Sequence, residues 1–183
     1  VTKFLLAVHV LAAIVAIGPV TVAASMFPPT VRRALADPGD RQAVAWVRLL
    51  HRICRVYAVI GLTVPVFGFA TASSMGVLGD TWLIVSIALT ALAAVALGAL
   101  VLPRQEALLA GIEAITETGA AEATGEAGRT EGSGATGPAG KTAAAPPDRR
   151  ATARLAMVTG IFNLLWATVT VLMIIRPGST TGA

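Results

Sequence analysis

No aspartate, glutamate, lysine or arginine interrupts four long stretches of this chain: Phe4–Phe27, Val56–Gly79, Thr81–Leu102 and Leu155–Ile175. Each is 21 to 24 residues long, and all ten acidic and fourteen basic side chains fall outside them. A helix of about 20 apolar residues, rising 1.5 Å per residue, crosses roughly 30 Å of hydrocarbon. The expected fold is therefore all-α, a transmembrane four-helix bundle. Embedded acids are equally missing, which disfavours a proton- or cation-coupled exporter, because such proteins exchange the ion on an intramembrane carboxylate. A transporter subunit is the weakest of the functional readings. With one cysteine, Cys54, no intramolecular disulfide and no cysteine-cluster metal site can form. Three arginines surround it in RLLHRICR and would lower its pKa; the plainer reading is a small buried residue at the membrane boundary.

What is present fits one membrane domain spanning residues 1–183. Apolar residues make up 55% of the chain and the mean hydropathy is +0.76, too high for a soluble domain of 183 residues. The net charge of +4 comes from basic residues that flank spans, with no base-reading motif beside them, so no nucleic-acid partner is expected. Pro28–Arg55 and Pro103–Arg154 together hold twelve basic residues, against Lys3 and Arg176 on the opposite side. The positive-inside rule then places both arginine-rich segments in the cytoplasm and both termini outside the plasma membrane, an N-out/C-out topology. Trp82 falls at the outer interface and Trp46 near the inner one. Val22-Ala23-Ala24 resembles a signal-peptide cleavage site, but the 24-residue uncharged run reads as a retained span.

The loops carry patterns of their own. Asp37-Pro38-Gly39-Asp40 is a turn, and Asp40 can cap a helix starting at Arg41. Val44, Val47, Leu50 and Cys54 recur at helical spacing among arginines, which suits an interfacial cytoplasmic helix lying on the anionic inner leaflet. A partner-docking helix would show the same pattern. The third span should continue as an amphipathic stretch, with Leu108, Leu109, Ile112 and Ile115 on one face and Glu106, Glu113 and Glu117 on the other. Residues 119–147 hold no large apolar side chain and are expected to form a disordered cytoplasmic linker. Within it, GATGPAGKT imitates a phosphate-binding loop, but Ala135 stands where the first glycine belongs and no strand–loop–helix context surrounds it.

Inside the spans, small residues should draw the helices together. His9, Ala12, Ala13, Ala16 and Ala23 share one side of the first span, so His9 faces a packed interface. Gly18-Pro19 should bend that span, and the second has Pro65 with Gly61, Gly68 and Ala72. The third has Ala94 and Gly98, and the fourth a face with Thr159, Asn163 and Thr170. Asn163 is the natural interhelical hydrogen-bonder, its alternative role being a ligand. His9 is the one histidine within the runs, which hold no acidic side chain and no lysine or arginine. As a neutral imidazole it can stitch the bundle together; as a ligand it could bind haem iron or copper. His51, about 25 Å away in depth, cannot share one haem with it and reads as a surface residue. Met173 and Met75 lie at suitable depths to complete a site with His9.

The opening FLLAVHVLAAIVAIGPV and closing NLLWATVTVLMIIRPG resemble a family of small four-span bacterial integral membrane proteins of uncharacterised function. The similarity covers the spans, about two thirds of the chain, and not the linker. More distantly, the early histidine is similar to that of copper-resistance-D-like membrane domains and protoporphyrinogen-oxidase-like proteins. The latter resemblance implies a haem-associated role for His9. The lysine those oxidases carry in a later span has no counterpart here. The expected function is thus a structural or partner-binding membrane protein with no assignable catalytic residue, acting in the lipid bilayer alone, as a homo-oligomer or with a membrane partner. The alternative is a haem- or copper-binding redox protein using His9.

Overall fold

A computed structural model describes residues 2–127 and 149–177, and among these every regular element is helical. The elements are α1 (Thr2–Ala36), α2 (Arg41–Gly61), α3 (Thr63–Met75), α4 (Thr81–Val95), a π-helical segment (Ala96–Val101), α5 (Leu102–Ala127) and α6 (Arg149–Ile175). Four helical rods are long and apolar enough to cross a membrane: Thr2–Ala36, Arg41–Met75, Thr81–Gly119 and Arg149–Ile175. They correspond to the four charge-free runs, each lengthened at one end or both, although the second rod stops at Met75, short of Gly79.

The lengthening changes the architecture. At 35 residues α1 measures about 52 Å, some 20 Å more than the hydrocarbon it has to cross. It continues as helix through Pro28 and Pro29, whose missing N–H groups leave the carbonyls of Ala24 and Ser25 without their usual ladder partners. Beyond Phe27 it meets α2 and the first half of α5. The apolar stripe expected to lie on the membrane surface is instead inside the molecule. Val44, Val47, Leu50 and Cys54 are buried against Val31 and Ala34 of α1 and Leu108 and Ile112 of α5. The physical reason is availability. A helix already passing alongside offers the same apolar burial as lipid headgroups, and gives side-chain packing as well. The interfacial helix of the sequence reading is therefore the near half of a long rod, and the core runs unbroken from Val20 to Ile112.

Its start is as expected. Asp40 Oδ1 accepts from the Ala43 N–H at 2.9 Å, and Arg33 closes an ion pair with Asp40 at 3.3 Å. The amphipathic continuation of the third span is also present, and Glu113 on its polar face pairs with Arg48 of α2 at 2.6 Å. However, α5 passes Gly119 and ends at Ala127, because alanine and glutamate favour extending an existing helix. The linker expected from residue 119 thus begins as helix; residues 128–148 lie outside the described residues. At the opposite end of the bundle, α3 stops at Gly76 in the left-handed region (φ 69°), a conformation that glycine adopts without steric cost. There Trp82 donates to Asp80 Oδ2 at 3.0 Å, and the Arg176 guanidinium lies 5.7 Å from its ring centroid. This contact ties the end of α6 to the start of α4.

Candidate functional site: a proline-bordered cavity

Proline occurs once near the middle of three of the rods, and in the second and third the helix departs from regularity beside it, while α1 continues unbroken through Pro19. In α1, Pro19 follows Gly18 and cannot donate to the carbonyl of Val15. In the second rod, Pro65 cannot donate to Gly61, and the helix is interrupted at Leu62 between α2 and α3. In the third, Pro103 cannot donate to Ala99. The turns just before it widen to π geometry, with the Leu102 N–H reaching back to the carbonyl of Leu97.

Both departures, together with the turn of α1 around Pro19, border one cavity of about 300 Å³. Ala16, Ile17 and Val20 line it from α1, Gly61, Leu62 and Pro65 from the second rod, and Leu97, Gly98 and Leu102 from the third. Phe162 and Trp166 of α6 close the far wall, edge to face with centroids 6.5 Å apart. A Cβ added to Gly61 or to Gly98 would meet nothing within 4 Å, so both glycines look onto open space. The volume is at the lower end of the range for small-ligand sites, which in helical bundles lie between helices.

The lining is apolar with three exceptions. Thr90 donates to the Ser86 carbonyl within its own helix at 2.7 Å and is already satisfied. Arg55 and Tyr57 sit at the arginine-bearing end, where neither side chain has a hydrogen bond or ion pair among the described residues. Val59 and Leu62, on the rim, are 71% and 66% exposed, so the cavity opens sideways to the surroundings of the bundle. Such a site can hold an apolar chain and place one polar group beside a guanidinium.

The residues singled out from the sequence are distributed differently. His9 does face a packed interface: its ring rests on Gly68, and Nδ1 lies 3.0 Å from the Val64 carbonyl. A carbonyl only accepts, so Nδ1 is the donor in this bond. The cavity lining does not include His9. Met75 lies two turns beyond Gly68, about 10 Å along α3. Met173 packs with Ala72, Trp82 and Leu83 near the helix ends. Among the described residues no group of three or more histidine, cysteine or acidic side chains could hold a metal ion. Asn163 acts across helices as expected, donating to Ser25 Oγ at 3.1 Å.

His51 corrects the surface reading. It is buried, 7% exposed, and its Nδ1 lies 3.4 Å from Gln105 Oε1. Gln105, fully buried, in turn donates to Cys54 Sγ at 3.6 Å. An isolated glutamine after Pro103 gave no signal in the sequence, although its spacing of three residues before Leu108 puts it on the apolar face of α5. It is the bridge that lets a histidine and a thiol lie inside the three-helix packing. No protein-family model matches the chain, nor does any curated protein or solved structure.

Proposed function

We propose that this is a non-enzymatic multi-pass protein of the plasma membrane that binds a partner molecule by holding one apolar chain in the proline-bordered cavity. The observation that carries the reading is the coincidence of two helix irregularities, the break at Leu62 and the π segment, around one opening that also borders the turn of α1 holding Pro19. A regular helix would satisfy its backbone better in lipid, where every unpaired carbonyl is costly. Two departures at one place favour a binding role, and π segments in particular recur at functional sites. In this reading the arginine-bearing ends of the rods are cytoplasmic, with the start of α1 and the end of α6 outside, as the charge asymmetry of the loops implies. The resemblance to small four-span bacterial membrane proteins belongs to the same reading.

The test uses Trp166 as the reporter. With Trp46 and Trp82 replaced by phenylalanine, a brominated fatty chain titrated into the solubilised protein should quench the remaining tryptophan saturably. Gly98→Leu, which fills the cavity, should remove the saturable part, and Gly160→Leu on the exposed face of α6 should leave it. Equal quenching in both variants would refute the reading.

A second reading is favoured by one specific observation. The hydrogen bond from His9 Nδ1 to a backbone carbonyl is the arrangement metal-ligating histidines adopt, with Nε2 left to bind. A haem or copper role for His9 would show as a visible absorption band in protein grown with haem and copper supplementation, lost in His9→Ala. A featureless spectrum excludes it.

A further inference from the structure

We infer that the occupant of the cavity is one acyl chain of an anionic phospholipid, with its phosphate held on Arg55. This rests on the reading of the cavity as a binding site and adds the chemical class of the ligand. Three observations select it. At about 30 Å³ for each water-sized group, 300 Å³ admits about ten such groups, a stretch of one chain. The exposed rim at Val59 and Leu62 lets that chain enter from the bilayer while a second chain stays outside.

The polar end then meets charge of one sign. Arg55 borders the cavity without an ion pair among the described residues, and its guanidinium fork matches a phosphate through two parallel hydrogen bonds. Arg104 is at the same level. It precedes Gln105, whose amide reaches Cys54, the neighbour of Arg55. Arg104 does not itself line the cavity, and its Nη1 is buried with no hydrogen-bond partner among the described residues. A buried donor of that kind is costly unless an acceptor fills the gap, and a lipid phosphate is the acceptor a bilayer supplies at this depth. Neither acidic side chain that pairs with an arginine, Asp40 or Glu113, lines the cavity. A zwitterionic headgroup would bring its own cation to this cluster, and an uncharged one would leave both guanidiniums as they are.

The experiment repeats the Trp166 measurement with brominated phosphatidylglycerol and brominated phosphatidylcholine of the same chain length. Half-saturation for the anionic lipid should come at about fivefold lower mole fraction, the worth of one arginine–phosphate attraction near a membrane surface. Arg55→Gln should bring the two lipids together, and raised salt should narrow the gap in the native protein. Gly160→Leu should behave as the native protein does. If Gly98→Leu abolishes saturable quenching but the two lipids never differ, the headgroup assignment is overturned while the cavity stands. If Gly98→Leu changes nothing, both fall. If Arg55→Gln unfolds the protein, Arg55→Lys takes its place. Lysine keeps the charge but loses the fork, and should retain part of the preference; an undiminished one would overturn the paired hydrogen bonds.

Discussion

Replacing Gly68 by alanine tests how tightly α1 is seated on α3. An added Cβ would stand 2.8 Å from His9 Cε1 and 3.2 Å from Nδ1, where ordinary contact begins at 3.4 Å. Restoring that contact moves the ring away from α3 by about 0.6 Å, enough to stretch the 3.0 Å bond to Val64 past useful hydrogen-bond length. The lost bond contributes about 0.6–2 kcal/mol in a membrane. Crowding a packed site costs about 1–3 kcal/mol more. Alanine recovers about 0.5–1 kcal/mol over glycine within a helix, leaving a net loss of about 1–4 kcal/mol. Reversible unfolding in mixed micelles measures it. The decisive arm is the double variant: with His9→Ala in place the obstacle is gone, and Gly68→Ala should then be neutral or slightly stabilising. If Gly68→Ala costs the same in both backgrounds, the contact is not what limits the site.

Two further outcomes follow from the arginine-bearing end. The Ala43 N–H holds the Asp40 carboxyl below its ordinary value, with burial opposing the shift and the charge of Arg33 adding to it. Because the folded value is the lower one, the cap contributes fully above the unfolded carboxylate pKa and is lost as pH falls through the folded value. Hydrogen-exchange protection of the Ala43 amide should therefore drop on acidification, and Asp40→Asn should remove that dependence; protection insensitive to pH in the native protein would contradict it. Gln105→Leu should cost about 1–3 kcal/mol by leaving His51 Nδ1 without its acceptor, and should open Cys54 to maleimide. A loss below about 0.5 kcal/mol would mean the buried chain contributes no more than an ordinary surface position.

The charge-free runs located every rod, because excluding ionised groups from hydrocarbon is a property of each segment by itself. His9 against a small-residue interface and Asn163 reaching a neighbouring helix were legible for a similar reason: neither residue is satisfied while facing lipid. The stripe Val44–Val47–Leu50–Cys54 was legible as a stripe but not as to what covers it. Lipid and a neighbouring helix present the same apolar demand, and the sequence of α2 carries no mark that separates them. His51 was misplaced because its arginine neighbours describe the exposed side of α2, whereas its own side is set by Gln105, more than fifty residues away. The cavity was the least legible feature. Pro19, Pro65 and Pro103 are each readable as a lost helix hydrogen bond, but that Pro65 and the residues next to Pro19 and Pro103 gather round one opening depends on how far each rod is shifted along the others.

The extension of α1 beyond the bilayer gives the missing hydrogen bond at Pro19 mechanical reach. From Pro19 to Ala36 the helix is about 25 Å long, and bending it by about 10° at Pro19 would sweep its tip by about 4 Å. Because Phe27, Val31 and Ala34 are packed against α2 and α5, that sweep cannot be absorbed locally and moves the bundle with it. The helix would thus act as a lever with its fulcrum beside the cavity, so a ligand that bent it at Pro19 would alter the geometry of the far end without touching it.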